Sequence, residues 1–426
     1  MTLHGLQSDS GALDTASVEE IISAAASEWL PSPGRVLLVI PDGTRTCPMD
    51  ALFPLLYRHI APRSSVFNVL VALGTHPPMP QDMILQRVGI SPQQRARLYP
   101  KASFHNHSWK DPAALARVGR LKAAEIKRIT DGMFEMDVEV TVNRMVLEHD
   151  LVILCGPVFP HEVVGFSGGN KYLFPGIAGG QIIDFFHWLG AVITNLAVIG
   201  RKHTPVRKVV DMAASLVPAA RRAFCMVVRD GGLAGFFAGE PEEAWSEAAD
   251  LSSRIHIVCM PRSYHTVLSC APSMYDDLWT GGKCMYKLEP VVADGGTLII
   301  YAPHITEVSV THGAHLLRIG YHVRDFFLKQ WNEYKDFPWG VLAHSTHVKG
   351  AGTWENGVET PRINVVLATG IPEHVCRRIN LGYMDVSRLR ISDYEGRENE
   401  GVLCVRKAGE ILYRPAASAG GRSADK

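Results

Sequence analysis

The stretch "DLVILCGPVFPHEVVGFSGGNKYLFPGIAGG", residues 150–180, decides how the chain is read. It opens with a short run, "LVILC", that is apolar on both faces. It then breaks into a glycine-rich, non-helical segment that carries His161 and Lys171 ten residues apart. Runs of this kind, bounded by Gly, Pro and Asp, are what buried parallel strands look like, because helices cover both of their faces. The same character recurs in "RVLLVI" at 35–40, "VFNVLVAL" at 66–73, "IHIVCM" at 255–260, "TLIIYA" at 297–302 and "NVVLAT" at 364–369. Longer mixed segments separate them. "TASVEEIISAAASEWL" reads as an amphipathic opening helix, with Ser17 and Glu20 placed as a capping box. The expectation is an α/β protein with more than one mainly parallel sheet flanked by helices.

At 426 residues the chain exceeds one ordinary core, and two domains are expected. The polar "GEPEEAWSEAADLSSR" ends one segment and "IHIVCM" opens another, which puts the boundary near residue 250: 1–250 and 251–426. The tail "AASAGGRSADK", 416–426, is expected to be disordered. Lys plus Arg equals Asp plus Glu at 43 each, so no global field draws nucleic acid or an anionic membrane. Small neutral or singly charged ligands fit better. The opening "MTLHGLQSDSG" lacks the features of a signal peptide, and no run approaches the roughly 18 apolar residues that span a bilayer. The reading is cytoplasmic. The eight cysteines are scattered without a C-x-x-C pair, and Cys155 and Cys259 lie in strand-like runs, which points to buried reduced thiols.

In open α/β sheets ligands sit beyond the carboxyl ends of strands, and this rule selects loops. Asp42, Thr44 and Arg45 follow one strand, His76 another, and His161 and Lys171 a third. "GFSGGNK" is not a phosphate-binding P-loop, since Asn170 separates Gly169 from Lys171 and Tyr172 replaces the required hydroxyl. Ser167, Gly168 and Gly169 still allow backbone amides to approach an anion, with Lys171 as a charge or an amine nucleophile; the plainer reading is a glycine turn with a solvated lysine. His105, His107, His161 and His187 give a histidine-rich set without any familiar zinc spacing. Alone, these residues indicate only a histidine-rich active site.

Taken in order, "PDGTRTCP", "LGTH", "HNHSWKDP", "GPVFPHEVVGFSGGNKYLFPGIAGG" and "FFHW" resemble the nickel-dependent lactate racemase family, well over 34–190 and more loosely beyond. The resemblance implies that residues 1–250 bind cofactor and carry catalysis, that 251–426 complete the substrate pocket, and that the active site lies in the cleft between the domains. It implies a nickel-pincer nucleotide (a pyridinium-3-thioamide-5-thiocarboxylate mononucleotide) tethered at Lys171, nickel on His187, and His107 and His161 as alternating acid and base. Asp42, Thr44, Ser167, Gly168 and Gly169 would line the cofactor, and Arg45, Trp279, Thr280 and Lys283 the substrate. Partners would be a 2-hydroxy acid and the enzymes that build the cofactor. Such a group accepts hydride from Cα, and two histidines are needed because inversion requires a proton acceptor on each side of the substrate.

Departures from the family argue against lactate itself. "DDLWTGGKCM" keeps Lys283 but puts the short Thr280 where the family resembles Y-Q-x-x-K, and Gly43 stands where lactate racemases carry a larger residue. "HSTHVKGAGTWENGVE", 344–359, reads either as a polar surface loop or as a substrate wall with Trp354 over the pocket. Two other functions compete. A nicotinamide-dependent dehydrogenase is disfavoured by the lack of G-x-G-x-x-G after a strand, and a non-catalytic nucleotide or sugar-acid binding protein by the joint presence of His107, His161, Lys171 and His187.

Overall fold

A computed structural model of the chain describes residues 2–8 and 11–416. The expected disordered tail, Ala416 apart, lies outside the described residues. The chain divides into two compact units, one of Met1–Leu189 with Arg201–Ile255, the other of Gly190–Gly200 with His256–Lys426.

The first unit is built on a seven-stranded sheet. In chain order its strands are β1 (His4–Gln7), β2 (Gly34–Pro41), β3 (Ser64–Ala72), β4 (Ala102–Asn106), β5 (Leu151–Pro157), β6 (Ala220–Arg229) and β7 (Gly232–Gly239). Across the sheet the order is β1-β7-β6-β5-β2-β3-β4. The five strands from β6 to β4 are parallel, and β7 and β1 close one side antiparallel. From β2 the chain moves outward through β3 and β4, then returns to pair β5 on the other side of β2, with Val36–Val39 opposite Leu151–Leu154. That reversal is a topological switch point, where loops leaving the carboxyl ends of neighbouring strands diverge and open a crevice.

Burial follows from composition. Val36–Ile40 and Val152–Ile153 are fully buried, as strands covered on both faces must be. Helix α1 (Thr15–Trp29) buries Val18, Ile22, Ala25, Ala26 and Trp29, one stripe at helical spacing. Its cap lies three residues earlier than the capping-box reading placed it. Asp14 accepts from the Ser17 amide at 2.8 Å, and the Ser17 hydroxyl returns a 2.8 Å bond to the same carboxylate. A charged acceptor at the cap outcompetes a hydroxyl for the free amides of the first turn.

The second unit holds five parallel strands, β8 (Tyr264–Cys270), β9 (Val292–Ala302), β10 (Asn364–Thr369), β11 (Gly382–Tyr383) and β12 (Val402–Val405), in the order β11-β10-β9-β8-β12. "IHIVCM" departs from its expected place: His256 ends the helix Pro241–His256, and only Ile257–Met260 is extended, paired with Leu412–Pro415 outside the main sheet. No disulfide links any of the eight cysteines; Cys155 is buried, whereas Cys259 is exposed. Among the described residues no helix is long and apolar enough to cross a membrane.

The hairpin between Pro160–His161 and Gly165–Phe166 turns at Gly165, whose φ is +86° and where a Cβ would lie 1.9 Å from the Arg201 carbonyl oxygen. Gly43 meets nothing within 4 Å. Gly165→Ala is therefore expected to cost about 3 kcal/mol from overpacking and backbone strain. Gly43→Ala should stay within about 0.5 kcal/mol of the parent, both read by urea unfolding.

Candidate active site

Three loops bring the first group of side chains to the carboxyl edge of the large sheet. Pro41 pairs with Ala72, so Asp42 stands one residue past the end of β2 and His76 four past the end of β3. There His76 Nδ1 donates to Asp42 Oδ2 at 2.5 Å, while the other oxygen of Asp42 accepts from the amide and hydroxyl of Thr44 at 3.0 and 2.8 Å. Thr44 thus orients Asp42, and Asp42 orients His76. With Nδ1–H committed to a carboxylate, the lone pair of the neutral ring sits on Nε2, the arrangement of an oriented general base. Asp42 is buried and His76 partly exposed. Arg45, in the same loop, is partly exposed, and its carbonyl accepts from Arg87.

His107 follows β4 at the same edge but occupies another environment. It is 3% exposed; its Nε2 donates to the Ala178 carbonyl at 2.9 Å, and its Nδ1 accepts from the Asn143 amide at 3.3 Å. Both ring nitrogens serve the fold, bracing the end of the glycine segment. Burial pushes its pKa down to about 4. His161 is 4% exposed; its Nδ1 accepts from the Val163 amide at 3.1 Å, and Glu162 Oε2 lies 3.4 Å from the same atom. The neutral ring therefore carries its proton on Nε2, the opposite tautomer to His76. A carboxylate is in reach when the ring takes a second proton.

Between Val163 and Pro175 every residue is buried except Lys171. The amides expected to cradle an anion are engaged inside the protein: Ser167 N donates to the Phe159 carbonyl at 2.8 Å and Gly169 N to the Cys225 thiol. The Ser167 hydroxyl accepts from Phe159 N and donates to the Pro157 carbonyl. Ser167, Gly168 and Gly169 thus form a packed platform from which Lys171 emerges. His187 lies on the helix Gly180–Ile193, and its Nδ1 donates to the Ile183 carbonyl at 2.6 Å, which fixes the ring. Among the described residues no group of three or more His, Cys, Asp or Glu is placed to hold a metal; a metal held mainly by its own cofactor needs one protein donor, and the anchored imidazole of His187 has that chemistry.

Trp279, Thr280 and Lys283 belong to the second unit, in two short helices after β8. The Thr280 hydroxyl is 3.0 Å from Asp277 Oδ1 and bonds within its own turn as part of a cap. Lys283 is 7% exposed, with Nζ 4.7 Å over the Tyr275 ring. Trp279 packs against His344 at 4.1 Å between ring centroids, nearly parallel, and against His312 at 4.3 Å. His344 Nε2 also donates to the Trp279 carbonyl at 3.0 Å. The reading of 344–359 as a polar surface loop is corrected for 344–349, whereas Thr353 and Glu355–Val358 are exposed. His344–Lys349 lies in the helix Trp339–Lys349, with every residue from Val341 to Lys349 buried, while Trp354 stands on a ribbon with its ring edge-on to Phe326 at 4.8 Å.

The depressed pKa of His107 makes stability depend on pH. Between about 6.5 and about 4 the unfolded chain binds the proton and the folded chain does not, so this contribution is complete above about 6.5 and is lost as pH falls through that window. In urea unfolding, about 2 kcal/mol of the parent's stability loss between about pH 7 and 5 should be missing from His107→Gln. Equal pH dependence of the two proteins would refute the assignment.

The sequence profile of the lactate racemase N-terminal domain matches residues 7–199. The chain is 23% identical to a lactate racemase of Lactiplantibacillus plantarum over 71% of this chain and 68% of that protein. It is 26% identical to a lactate racemase of Thermoanaerobacterium thermosaccharolyticum over 63% of this chain and 59% of that one. Among solved structures, a Thermotoga maritima protein is 33% identical, with a TM-score of 0.88 over 96% of this chain and 100% of that chain. The lactate racemase apoprotein of T. thermosaccharolyticum shares the fold, with a TM-score of 0.71 at 18% identity, covering 93% of this chain and 92% of that one. The matched residues 7–199 include Asp42, His76, His107, His161, Lys171 and His187, and both named relatives are lactate racemases: the chain carries a lactate racemase N-terminal domain and is an isomerase of the racemase type.

Proposed function

We propose that this protein racemises or epimerises a 2-hydroxy acid other than lactate in the cytoplasm, with a nickel-pincer nucleotide, supplied by the enzymes that build it, attached at Lys171. The observation that carries this reading is the emergence of Lys171 as the one side chain not buried between Val163 and Pro175. An amine held on a rigid platform suits a covalent tether better than a freely solvated lysine does. His187, whose ring is fixed through Nδ1, is the nickel ligand in this reading. Bound there, the group supplies a hydride acceptor beside nickel.

The chain's own residues handle the proton and the carboxylate. We assign His76 and His161 as the acid–base pair and His107 as a brace. His76 is prepared as a base through Asp42, and His161 carries its proton on Nε2 with Glu162 beside Nδ1. Arg45, partly exposed in the same loop as Asp42, is the carboxylate partner. A substrate other than lactate is favoured by the sequence departures at Gly43 and Thr280.

The test uses tethered, nickel-loaded enzyme and a panel of enantiopure aliphatic, aromatic, dicarboxylic and sugar 2-hydroxy acids in D₂O. Inverted product should keep its Cα protium. His76→Gln and His161→Gln should each lose about 100-fold or more in kcat in both directions, and His107→Gln less than about 10-fold. Extensive deuterium at Cα would replace hydride transfer with a carbanion route. A His107→Gln enzyme as impaired as His161→Gln would return His107 to catalysis, and inversion of no member of the panel would end the proposal.

A further inference from the structure

The platform that carries Lys171 is gripped from behind by groups that the reading above does not use. Arg207, on the helix Pro205–Ser215, is 3% exposed, and its guanidinium lies 4.0 Å over the Trp245 ring. Its Nη2 donates to the Phe166 carbonyl at 2.5 Å and its Nη1 to the Gly168 carbonyl at 3.5 Å, while Trp245 Nε1 donates to the intervening Ser167 carbonyl at 2.9 Å. Three consecutive carbonyls thus answer to one stacked Arg–Trp pair. The Gly168 carbonyl also accepts from the Lys171 amide at 3.2 Å, so Arg207 and the backbone of Lys171 share an acceptor.

The next side chain is held in the same way. Asn170 donates to Asp211 at 3.0 Å and to Glu242 at 2.7 Å, and accepts from Arg221 at 3.0 Å. Asp211 stands one turn beyond Arg207 and supports its charge, while burial lowers the pKa of Arg207 to about 10, which leaves it cationic at neutral pH. Steric limits complete the grip. A Cβ at Gly168 would lie 2.5 Å from Val158 Cγ2, and one at Gly169 2.9 Å from Trp245 Cβ, both at positive φ.

We propose that Arg207, stacked on Trp245, is a positioning residue for Lys171: by fixing the carbonyls of Phe166, Ser167 and Gly168 it sets where the lysine leaves the platform and so governs attachment of the cofactor. A buried guanidinium is costly, and apolar residues fill a core at lower cost. What arginine adds is a planar fork that reaches two carbonyls of one strand end, which the single point charge of lysine does not reproduce. The proposal rests on Lys171 being the tether, but its first measurement does not.

That measurement is hydrogen exchange of amides 166–172 in the protein without cofactor, for Arg207→Lys, Arg207→Met and Trp245→Phe. The second is the fraction of chains carrying nucleotide on Lys171, by peptide mass, after co-expression with the cofactor-building enzymes. The expected result is exchange at 166–172 at least tenfold faster in the Arg207 variants, with strands β2 and β5 protected as in the parent. Tethering should fall at least tenfold in both Arg207 variants, lysine failing to rescue it, and less in Trp245→Phe. Parental exchange and tethering in a folded Arg207→Met would overturn the proposal, as would rescue by lysine. Should the Arg207 variants fail to fold, Trp245→Phe decides: local loosening at 166–172 supports the grip and parental exchange refutes it. A parent protein without nucleotide on Lys171 would refute the tether reading, and the exchange arm would still judge the platform.

Discussion

The parallel pairing of β2 with β5 is the constraint on which the first unit's chemistry depends. It places the chain's reversal at the centre of the sheet, so that the loops after these two strands part instead of packing together. The register matters as much as the order. With Pro41 opposite Ala72, Asp42 and His76 extend past neighbouring strand ends by distances that let carboxylate and imidazole meet. A slip of one residue would turn Asp42 toward the other face of the sheet. Complete burial of Val36–Ile40 on both faces makes such a slip expensive, so hydrophobic packing at the centre of the sheet sets polar geometry at its edge.

Polar groups at this edge fall into two kinds. Those that brace have every hydrogen-bonding atom engaged by the fold, as in His107 between Ala178 and Asn143, or Ser167 between Phe159 and Pro157. Those suited to chemistry have one ring nitrogen fixed by a neighbouring acceptor. His76 is fixed through Asp42 and His187 through Ile183. The platform beneath Lys171 follows the same logic on the backbone, held by Arg207, Trp245 and Asn170 while the lysine alone emerges. Fixing one end of a reacting group removes orientational freedom before the substrate arrives.

Much of the fold was legible, because a strand buried on both faces leaves a continuous apolar run: "RVLLVI", "LVILC" and "NVVLAT" each became strands of a parallel sheet. β4 was not, since Ala102–Asn106 is the edge strand and mixes polar with apolar residues. The glycine segment was legible as a non-helical stretch after a strand, with Lys171 at the one position between Val163 and Pro175 that is not buried. The Asp42–His76 contact was hidden because it joins residues 34 positions apart through two strand ends, and local spacing carries no trace of such a meeting. The helix Trp339–Lys349 was hidden for another reason: it spreads polar and apolar residues over all its sides and is buried from Val341 to Lys349, so it lacks the one-sided apolar stripe that marks an ordinary surface helix. The bond from the Thr280 hydroxyl to Asp277, part of a helix cap, was not legible from the departure at that position.

The central claim is that one lysine is presented for a covalent nickel-bearing cofactor. It is tested most directly by peptide mapping and nickel analysis of protein co-expressed with the cofactor-building enzymes, as parent, Lys171→Ala and His187→Ala. The account predicts a nucleotide mass on the peptide containing Lys171 and on no other lysine, with nickel about equimolar to the tethered chain. It predicts loss of both in Lys171→Ala, and loss of nickel ahead of the organic adduct in His187→Ala. A nucleotide attached elsewhere, or nickel retained in full by both variants, would contradict it.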